Sequence, residues 1–162
     1  MVLVREVVPD EWQALRDIRL AALTDAPSAF GSTYAREAPF AEDQWRTRTT
    51  CGGRGAMFFA ELPELTEPAG IAGALVQDDG TVEVVSMWVR PNARGHKVGE
   101  ALITAVAEWA RSRDHDALYL WVTESNAAAR RLYERCGFTA TGERQPLPSD
   151  SALPEIRMRR AL

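Results

Sequence analysis

The stretch Arg94-Gly95-His96-Lys97-Val98-Gly99 joins a strand-like run to a helix-like run. Upstream, residues 83–89 are mostly apolar and β-branched, and Pro91 follows them. Downstream, apolar residues recur at helical spacing, at Leu102, Ala105, Val106 and Trp109. A helix entered through a short glycine-containing turn leaves its first N–H groups unpaired, and these donors and the helix dipole suit a phosphate. The sequence therefore predicts a site for a phosphorylated cofactor at this turn.

Length and composition predict one globular domain, because 46% of the 162 residues are hydrophobic and 26% are charged. No apolar run approaches the roughly 18 residues that cross a bilayer, and the start lacks a signal-peptide pattern. The net charge of −4 argues against nucleic-acid binding. Cys51 and Cys136 lack metal-ligand spacing, and reduced thiols are expected for them. We therefore expect a cytoplasmic protein with no membrane or nucleic-acid partner and no metal.

The hydrophobic pattern predicts an α+β fold with a mixed central sheet of about seven strands and about four helices. The expected order is one strand, two helices, an antiparallel meander of three strands, and then αβαββ. Strands are predicted over 2–8, 55–61, 70–77, 81–89, 117–122, 138–141 and 155–161. Helices are predicted from Pro9 to about 23, and over about 33–50, 97–112 and 126–136. The polar, proline-containing segment 142–154 is predicted to be a loop.

Two blocks of sequence, about thirty residues apart, lie on elements of this order. The first is residues 87–102, which contain the turn. The second is Leu120-Trp121-Val122 followed by Asn126, Ala127, Ala129, Leu132, Tyr133, Cys136, Gly137 and Phe138. Together they resemble the GCN5-related N-acetyltransferase (GNAT) superfamily, whose element order matches nearly the whole chain. The resemblance implies one GNAT-like domain over residues 1–162, with acetyl-CoA as co-substrate and a primary amine as acceptor.

The resemblance places the cofactor phosphates on the turn, with Arg94, Gly95, His96, Lys97, Val98, Gly99 and Glu100 as cofactor-binding residues. The family's turn usually reads Arg/Gln-x-x-Gly-x-Gly/Ala, and Lys97 replaces its middle glycine. If the backbone there needs a positive φ, lysine costs about 1 kcal/mol; if not, its cation aids binding. We expect binding to be retained because backbone amides make most of such a site. The alternatives are a β–α turn without a ligand and a Rossmann turn, which expects three glycines in a parallel βαβ unit.

Acyl transfer to an amine needs a group that removes a proton from the ammonium, whose pKa is about 10.4 for a lysine-type amine. Glu83 stands where the histone-acetyltransferase branch of the family has its general base. The alternative is a solvated glutamate at a strand end. Ser86, placed on the opposite strand face by alternation, is a weaker candidate for orienting water or substrate.

The thioester oxygen gains negative charge during attack, and the resemblance assigns its stabilisation to the backbone N–H of Met87. It also pairs the main-chain groups of Val89 with the pantetheine arm. Both roles require the strands that carry residues 87–89 and 118–122 to splay apart.

The departing thiolate needs a proton, and the phenol of Tyr133 suits that task. Asn126 lies two helical turns earlier, about 10 Å away, and would hold the pantetheine arm. The resemblance thus adds Asn126, Ala129 and Tyr133 to the cofactor-binding residues. The alternative makes Asn126 a helix N-cap and Tyr133 a core aromatic.

The acceptor is expected to be a small-molecule amine or a peptide or protein amine, bound between residues 24–40 and 142–154. Glu37, Glu42 and Asp43 are candidates to receive its cation. The resemblance also allows for a homodimer. An alternative function is a non-catalytic acyl-CoA-binding sensor or interaction module, which the lysine at position 97 motivates.

Overall fold

In the computed structural model, which describes all 162 residues, seven strands and five α-helices follow the predicted order. The strands are β1 (Leu3–Glu6), β2 (Gly55–Glu61), β3 (Gly70–Val76), β4 (Val82–Val89), β5 (Ala117–Thr123), β6 (Thr139–Leu147) and β7 (Asp150–Ala161). The helices are α1 (Trp12–Asp25), α2 (Tyr34–Glu37), α3 (Glu42–Arg48), α4 (Val98–Ser112) and α5 (Ala127–Arg135). The second predicted helix is therefore in two pieces, α2 and α3.

Neighbouring strands pair in the order β1-β2-β3-β4-β5-β7-β6. Every pair is antiparallel except β4 with β5, which is parallel. This arrangement confirms the α+β fold, the mixed sheet and the antiparallel meander. No helix combines the length and the apolar character that crossing a bilayer requires.

Two hydrophobic cores lie on the two faces of the sheet. One packs α4 and α5 against the sheet, and the other packs α1 and α3 against it. Strand β2 contributes to both, because successive side chains of a strand point to opposite faces: Phe58 belongs to the first core, and Met57 and Phe59 belong to the second. Burial on both faces explains why β2 reads as a continuous apolar run.

The prediction of a loop over residues 142–154 is wrong, because β6 and β7 extend through it as a hairpin. Eight of the nine residues of β6 are exposed, so the strand lacks the apolar alternation that a sequence pattern can detect. Pro146 and Pro154 face each other across the pair. Because β6 is an edge strand, the absent N–H of Pro146 is tolerated there.

A β-bulge at Ser86 interrupts β4, where two residues oppose one residue of β3 and Ser86 has φ +57°. The extra residue shifts the alternation, so that Val84 before the bulge and Met87 after it face the same core. The expectation that Ser86 lies on the face opposite Glu83 is therefore wrong. Ser86 Oγ accepts a hydrogen bond from Arg19 at 3.3 Å, and Ser86 and Glu83 line one cleft.

A buried ion cluster joins the three N-terminal helices. Arg19 of α1 donates from Nε and Nη2 to the two carboxylate oxygens of Glu37 in α2, each at 2.9 Å. Arg48 of α3 donates to Oε1 of Glu37 at 2.8 Å. Burial raises the pKa of Glu37, but hydrogen bonds from Arg19 and Ser32 and the charges of Arg19 and Arg48 outweigh it and lower this pKa to about 2. The carboxylate therefore stays ionised and holds the helices together.

Replacing this carboxylate with a neutral amide, in Glu37→Gln, should lower the free energy of unfolding by about 3 kcal/mol, because two arginines lose their buried counter-charge. Since the folded pKa of Glu37 lies below its ordinary value of 4.5, its stabilisation is complete above pH 4.5 and is lost as the pH falls towards 2. Urea unfolding at several pH values measures both effects, and the variant should lack this part of the acid slope. Glu108→Gln, an exposed substitution on α4, is the control; equal stability of the two variants would contradict the prediction.

Candidate active site

The parallel strands β4 and β5 part soon after they begin. They pair only at Val82 with Leu118 and at Glu83 with Tyr119. Beyond these residues β5 stays paired with β7 as far as Thr123, while β4 stays paired with β3. The splay that the sequence analysis required is therefore present, and it opens a gap in the middle of the sheet.

The main-chain groups of Met87 and Val89 point into this gap. Arg90 N–H donates to the carbonyl of Ala69 at 2.8 Å, in line with the register between β3 and β4. Hydrogen-bonded positions alternate along an antiparallel ladder, so Trp88 bonds to β3 while Met87 and Val89 face the other way. Their N–H and C=O groups are directed towards the side from which β5 has moved away.

The turn before α4 presents a row of unpaired donors. None of the six backbone N–H groups from Gly95 to Glu100 donates to a backbone or side-chain acceptor of the chain. Lys97 is the N-cap residue of α4 and has a left-handed backbone, with φ +60° and ψ +27°. The lysine thus occupies the conformation that glycine adopts without strain. This geometry suits an anion at the helix N-terminus.

The side chains of the turn point in different directions. His96 and Lys97 are exposed and border a depression of about 440 Å³, whereas Val98 is buried in the first core. Glu100 forms an ion pair with Arg135 of α5 at 3.1 Å. A phosphate at this turn would therefore meet main-chain donors first.

Arg94 is held towards α1 and β4. Its Nη2 donates to Asp25 at 2.7 Å, and its Nε donates to the carbonyl of Val89 at 3.1 Å. The indole of Trp88 donates to the same oxygen of Asp25 at 2.9 Å. These hydrogen bonds, together with the charge of Arg94, lower the pKa of Asp25. Asp25 thus ties the end of α1 to the turn, a link that the sequence analysis missed.

Gly99 permits the close packing of α4 on α5. A Cβ atom at this position would lie 2.8 Å from Cδ2 of Leu132, closer than side chains approach one another. The glycine predicted to contact the cofactor therefore also brings the turn close to the helix that carries Asn126 and Tyr133.

Asn126 and Tyr133 occupy the two ends of α5. Asn126 Oδ1 caps the helix by accepting from Ala129 N–H at 3.2 Å, which leaves Nδ2 without a partner in the chain. Tyr133 is 7% exposed, packs edge-on against Phe138 at 5.9 Å and lines the main cleft. Burial raises the pKa of its phenol, so the hydroxyl remains protonated and can donate. Asn126 is thus a helix N-cap and Tyr133 a core aromatic, the structural roles given as alternatives. Nδ2 of Asn126 and the hydroxyl of Tyr133 nevertheless remain without a partner in the chain.

The gap opens into a cleft of about 810 Å³. Glu83, Glu155, Trp121 and Tyr133 line it from the sheet and α5, and residues 29–32 line it from the α1–α2 connection. Burial raises the pKa of Glu83; the charge of Arg157 opposes this, and Asp79 and Glu155 add to it. Burial also raises the pKa of Glu155, against a hydrogen bond from Gln145. The cleft is thus lined by two partly desolvated carboxylates and one phenol.

Residues 12–138 match the model of the acetyltransferase (GNAT) family. The chain belongs to this family.

The relatives of this GNAT domain include longer proteins. A mycothiol acetyltransferase from Stackebrandtia nassauensis is 32% identical over 143 residues, which are 85% of this chain and 44% of the relative. An N-acetylaspartate synthetase from Danio rerio is 36% identical over 90 residues, 54% of this chain and 32% of the relative. The chain therefore spans less than half the length of these curated relatives.

A solved structure from Salmonella typhimurium, determined with its cofactor acetyl-CoA, shares the fold. It has a TM-score of 0.76 and 20% sequence identity, and the match covers 100% of this chain and 94% of that one.

The sequence analysis missed several residues of the GNAT cleft. Arg19 lies on the buried stripe of α1, one turn after Leu15; a charge on an apolar stripe is a signal of a buried partner, and it was overlooked. Glu155 is the first residue of the predicted C-terminal strand, lies in the middle of β7 and carries no local signal. Arg48 and Trp121 also line the cleft.

The expectation that Glu37, Glu42 and Asp43 receive a cation from the acceptor is not supported by their partners. Glu37 is bound by two arginines, Glu42 pairs with Arg46 at 3.4 Å, and neither Glu42 nor Asp43 lines the cleft.

The left-handed backbone at Lys97 predicts how substitutions at this position change the free energy of unfolding. Lys97→Gly should raise the free energy of unfolding by about 0.5 kcal/mol, because the relief of about 1 kcal/mol of strain is partly offset by glycine's greater freedom in the unfolded chain. Urea unfolding measures the change. Lys97→Ala is the matched control, since it removes the same charge and keeps the strain. Equal stability of the glycine and alanine variants would contradict the prediction.

Proposed function

We propose that this protein is an N-acetyltransferase that moves an acetyl group from acetyl-CoA to a primary amine by direct attack in a ternary complex. The observation that carries the proposal is the single gap between β4 and β5. A row of free main-chain donors leads to it, and two carboxylates and one phenol line the cleft into which it opens. The names of the two curated relatives support the proposal: one is an acetyltransferase, and the other is a synthetase of an N-acetylated product.

The free donors fit acetyl-CoA. The N–H groups of residues 95–100 would hold its pyrophosphate, and the depression beside His96 and Lys97 would take part of the nucleotide. The outward main-chain groups of Met87 and Val89 would pair with the pantetheine amides, as an added strand does. Nδ2 of Asn126 is free to contact the same arm, beside Ala129. When bound, acetyl-CoA supplies a thioester carbonyl that an amine can attack.

Glu83 is the proposed base. Its carboxylate lines the cleft at the start of the gap, and its raised pKa makes it a stronger proton acceptor than an exposed glutamate. It takes a proton from the ammonium so that the nitrogen can form its new bond to the acetyl carbon. The neighbouring Glu155 provides a second negative charge that holds the ammonium before this transfer.

Met87 and Tyr133 complete the reaction. The N–H of Met87 donates to the thioester oxygen as negative charge develops on it. As the carbon–sulfur bond breaks, the hydroxyl of Tyr133 gives its proton to the thiolate of CoA. The nitrogen loses its second proton to the phenolate, which restores the phenol. The phenol has no partner in the chain, so its hydroxyl is free for this contact.

The alternative, an acyl-CoA-binding sensor without turnover, is less well supported. The reason to consider it is Lys97, which replaces a glycine of the family's turn. The backbone of Lys97 is strained, but the six N–H donors of the turn remain free. A pure binding module has no need for a buried phenol in a cleft that two carboxylates also line. The two functions differ in one result: an enzyme releases CoA when an acceptor amine is supplied.

We also propose a cytoplasmic location, in keeping with the two unpaired cysteines. A homodimer remains a prediction.

A screen of primary amines for CoA release from acetyl-CoA tests the activity, and Tyr133→Phe tests the acid. With the best acceptor, the variant should lower kcat about 100-fold, because it loses the proton donor. The affinity for acetyl-CoA, measured by calorimetry, should change little, since the ring and its contact with Phe138 remain. Binding of acetyl-CoA without transfer to any amine would favour the sensor, and an unchanged kcat in the variant would refute the acid role.

The base has its own test in Glu83→Gln. The wild-type kcat should rise with pH across the raised pKa of Glu83, above 4.5, because only the carboxylate can take the proton. In the variant, kcat should no longer rise with pH in this range and should be about 100-fold lower than in the wild type. Glu134→Gln, exposed on α5, is the control. If Glu155→Gln abolished this rise of kcat with pH and Glu83→Gln did not, the base would be Glu155.

A further inference from the structure

The helical wall of the cleft carries an excess of positive charge. Arg19, Arg36 and Arg48 come from three different helices and line the cleft, and Glu37 is the carboxylate that lies among them. Arg19 binds both oxygens of Glu37, and Arg48 shares one of them. One carboxylate thus faces three guanidinium groups, so this group keeps a net positive charge that no other side chain neutralises.

Two of these arginines have hydrogen-bonding capacity to spare. Arg48 uses only Nη1, on Glu37, and its side chain is 34% exposed. Arg36 is exposed and donates only to Oγ of Ser32, at 3.4 Å. A guanidinium group offers two parallel N–H donors, a geometry that matches a carboxylate or a phosphate. These donors are available to a ligand in the cleft.

Trp45 adds an independent sign of a missing partner on the same wall. The residue is fully buried and lines the cleft, and its indole N–H has no hydrogen-bond acceptor. The guanidinium of Arg48 lies over its ring at 5.2 Å. Buried donors without a partner are rare in folded proteins, so an acceptor atom is expected from outside the chain.

The other carboxylates that line the cleft, Glu83 and Glu155, lie on the sheet. The charged groups that shift the pKa of Glu83 are Arg157, Asp79 and Glu155, all from the sheet or its turns. Those that shift the pKa of Arg48 are Glu37, Arg19 and Arg36, all from the helices. The lining of the cleft thus carries carboxylates on the sheet and guanidinium groups, with Glu37, on the helices, while Arg157 acts on Glu83 without lining the cleft.

We infer that the acceptor is an amine that also carries an anionic group, a carboxylate or a phosphate, which binds on the wall formed by Arg36, Arg48 and Trp45. Its amine then lies on the sheet side of the cleft, beside Glu83. The inference rests on the proposed function and names the substrate class of the same cleft. A polyamine would place a second cation against Arg48, so this class of acceptor is disfavoured by like-charge repulsion.

Pairs of acceptors that differ only in the anionic group test the inference. We would compare ω-amino acids of increasing length with their primary amides, and phosphoethanolamine with ethanolamine. The anionic member of at least one pair should have a kcat/KM about tenfold higher, because it gains a charge-assisted hydrogen bond. The carboxylate and phosphate pairs show which anion the wall takes.

Arginine variants locate the preference. Arg48→Gln should remove it by raising the KM for the anionic acceptor, with no change in the KM for acetyl-CoA. Because Arg48 also supports Glu37, Arg36→Gln is the second variant; it breaks only the contact with Ser32 and should reduce the preference in the same direction. Arg46→Gln is the matched control. Arg46 lies on the same helix, pairs with Asp10 and Glu42, and does not line the cleft.

A binding measurement without turnover completes the test. In protein saturated with CoA, the ¹H–¹⁵N resonance of the Trp45 indole, assigned with Trp45→Phe, should shift on addition of the anionic acceptor and stay in place with its neutral counterpart. No shift with either would overturn the placement of the anion beside Trp45.

The outcomes separate the inference from the function on which it rests. Transfer to neutral amines with equal or higher kcat/KM would overturn the inference and leave the N-acetyltransferase function intact. An anion preference that persists in both arginine variants would overturn the assigned wall. Absence of transfer to every amine would overturn the proposed function and the inference with it.

Discussion

The parting of β4 from β5 is the constraint on which the rest of the site depends. A parallel pair that continued to its end would satisfy the main-chain groups of both strands and fill the middle of the sheet. Here the ladder stops after Glu83, while each strand keeps its other neighbour. The bulge at Ser86 bends β4 at this point and turns Met87 onto the α4 face. A cavity forms while the sheet stays intact, because β4 remains hydrogen-bonded to β3 and β5 remains hydrogen-bonded to β7.

Two features place chemistry around this gap. On one side, Gly99 lets α4 approach Leu132 of α5, so the free N–H donors of the turn and the phenol of Tyr133 belong to adjoining helices. On the other side, the buried pair of Arg19 and Glu37 fixes α1 and α2 over the second core. Removal of either partner would leave an unpaired buried charge, so the helices are held in one arrangement. The cleft wall is therefore as firmly positioned as the sheet.

The charge distribution of the cleft follows from this architecture. The sheet supplies Glu83 and Glu155, whose burial keeps them stronger bases than exposed carboxylates. The helices supply arginines in excess of their one carboxylate. The two groups of charges come from the sheet and from the helices, and a substrate with charges at both ends would match them. In the mechanism that we propose, specificity is carried by the N-terminal helices, and the acetyl-transfer chemistry belongs to β4 and α5.

The sequence by itself determined the fold class, the order of elements, the turn before α4, and the two blocks that carry the family likeness. These depend on local periodicity and glycine placement, which a single chain displays directly. It did not reveal the β6–β7 hairpin, because an exposed edge strand has no apolar alternation. Nor did it reveal the partners of Glu37, the bulge at Ser86 or the place of Glu155 in the cleft. Only the tertiary structure decided these. The partners of Glu37 and the place of Glu155 depend on which side chains meet across segments distant in sequence. The bulge at Ser86 is one extra residue, and it changes the face on which all later residues of β4 lie.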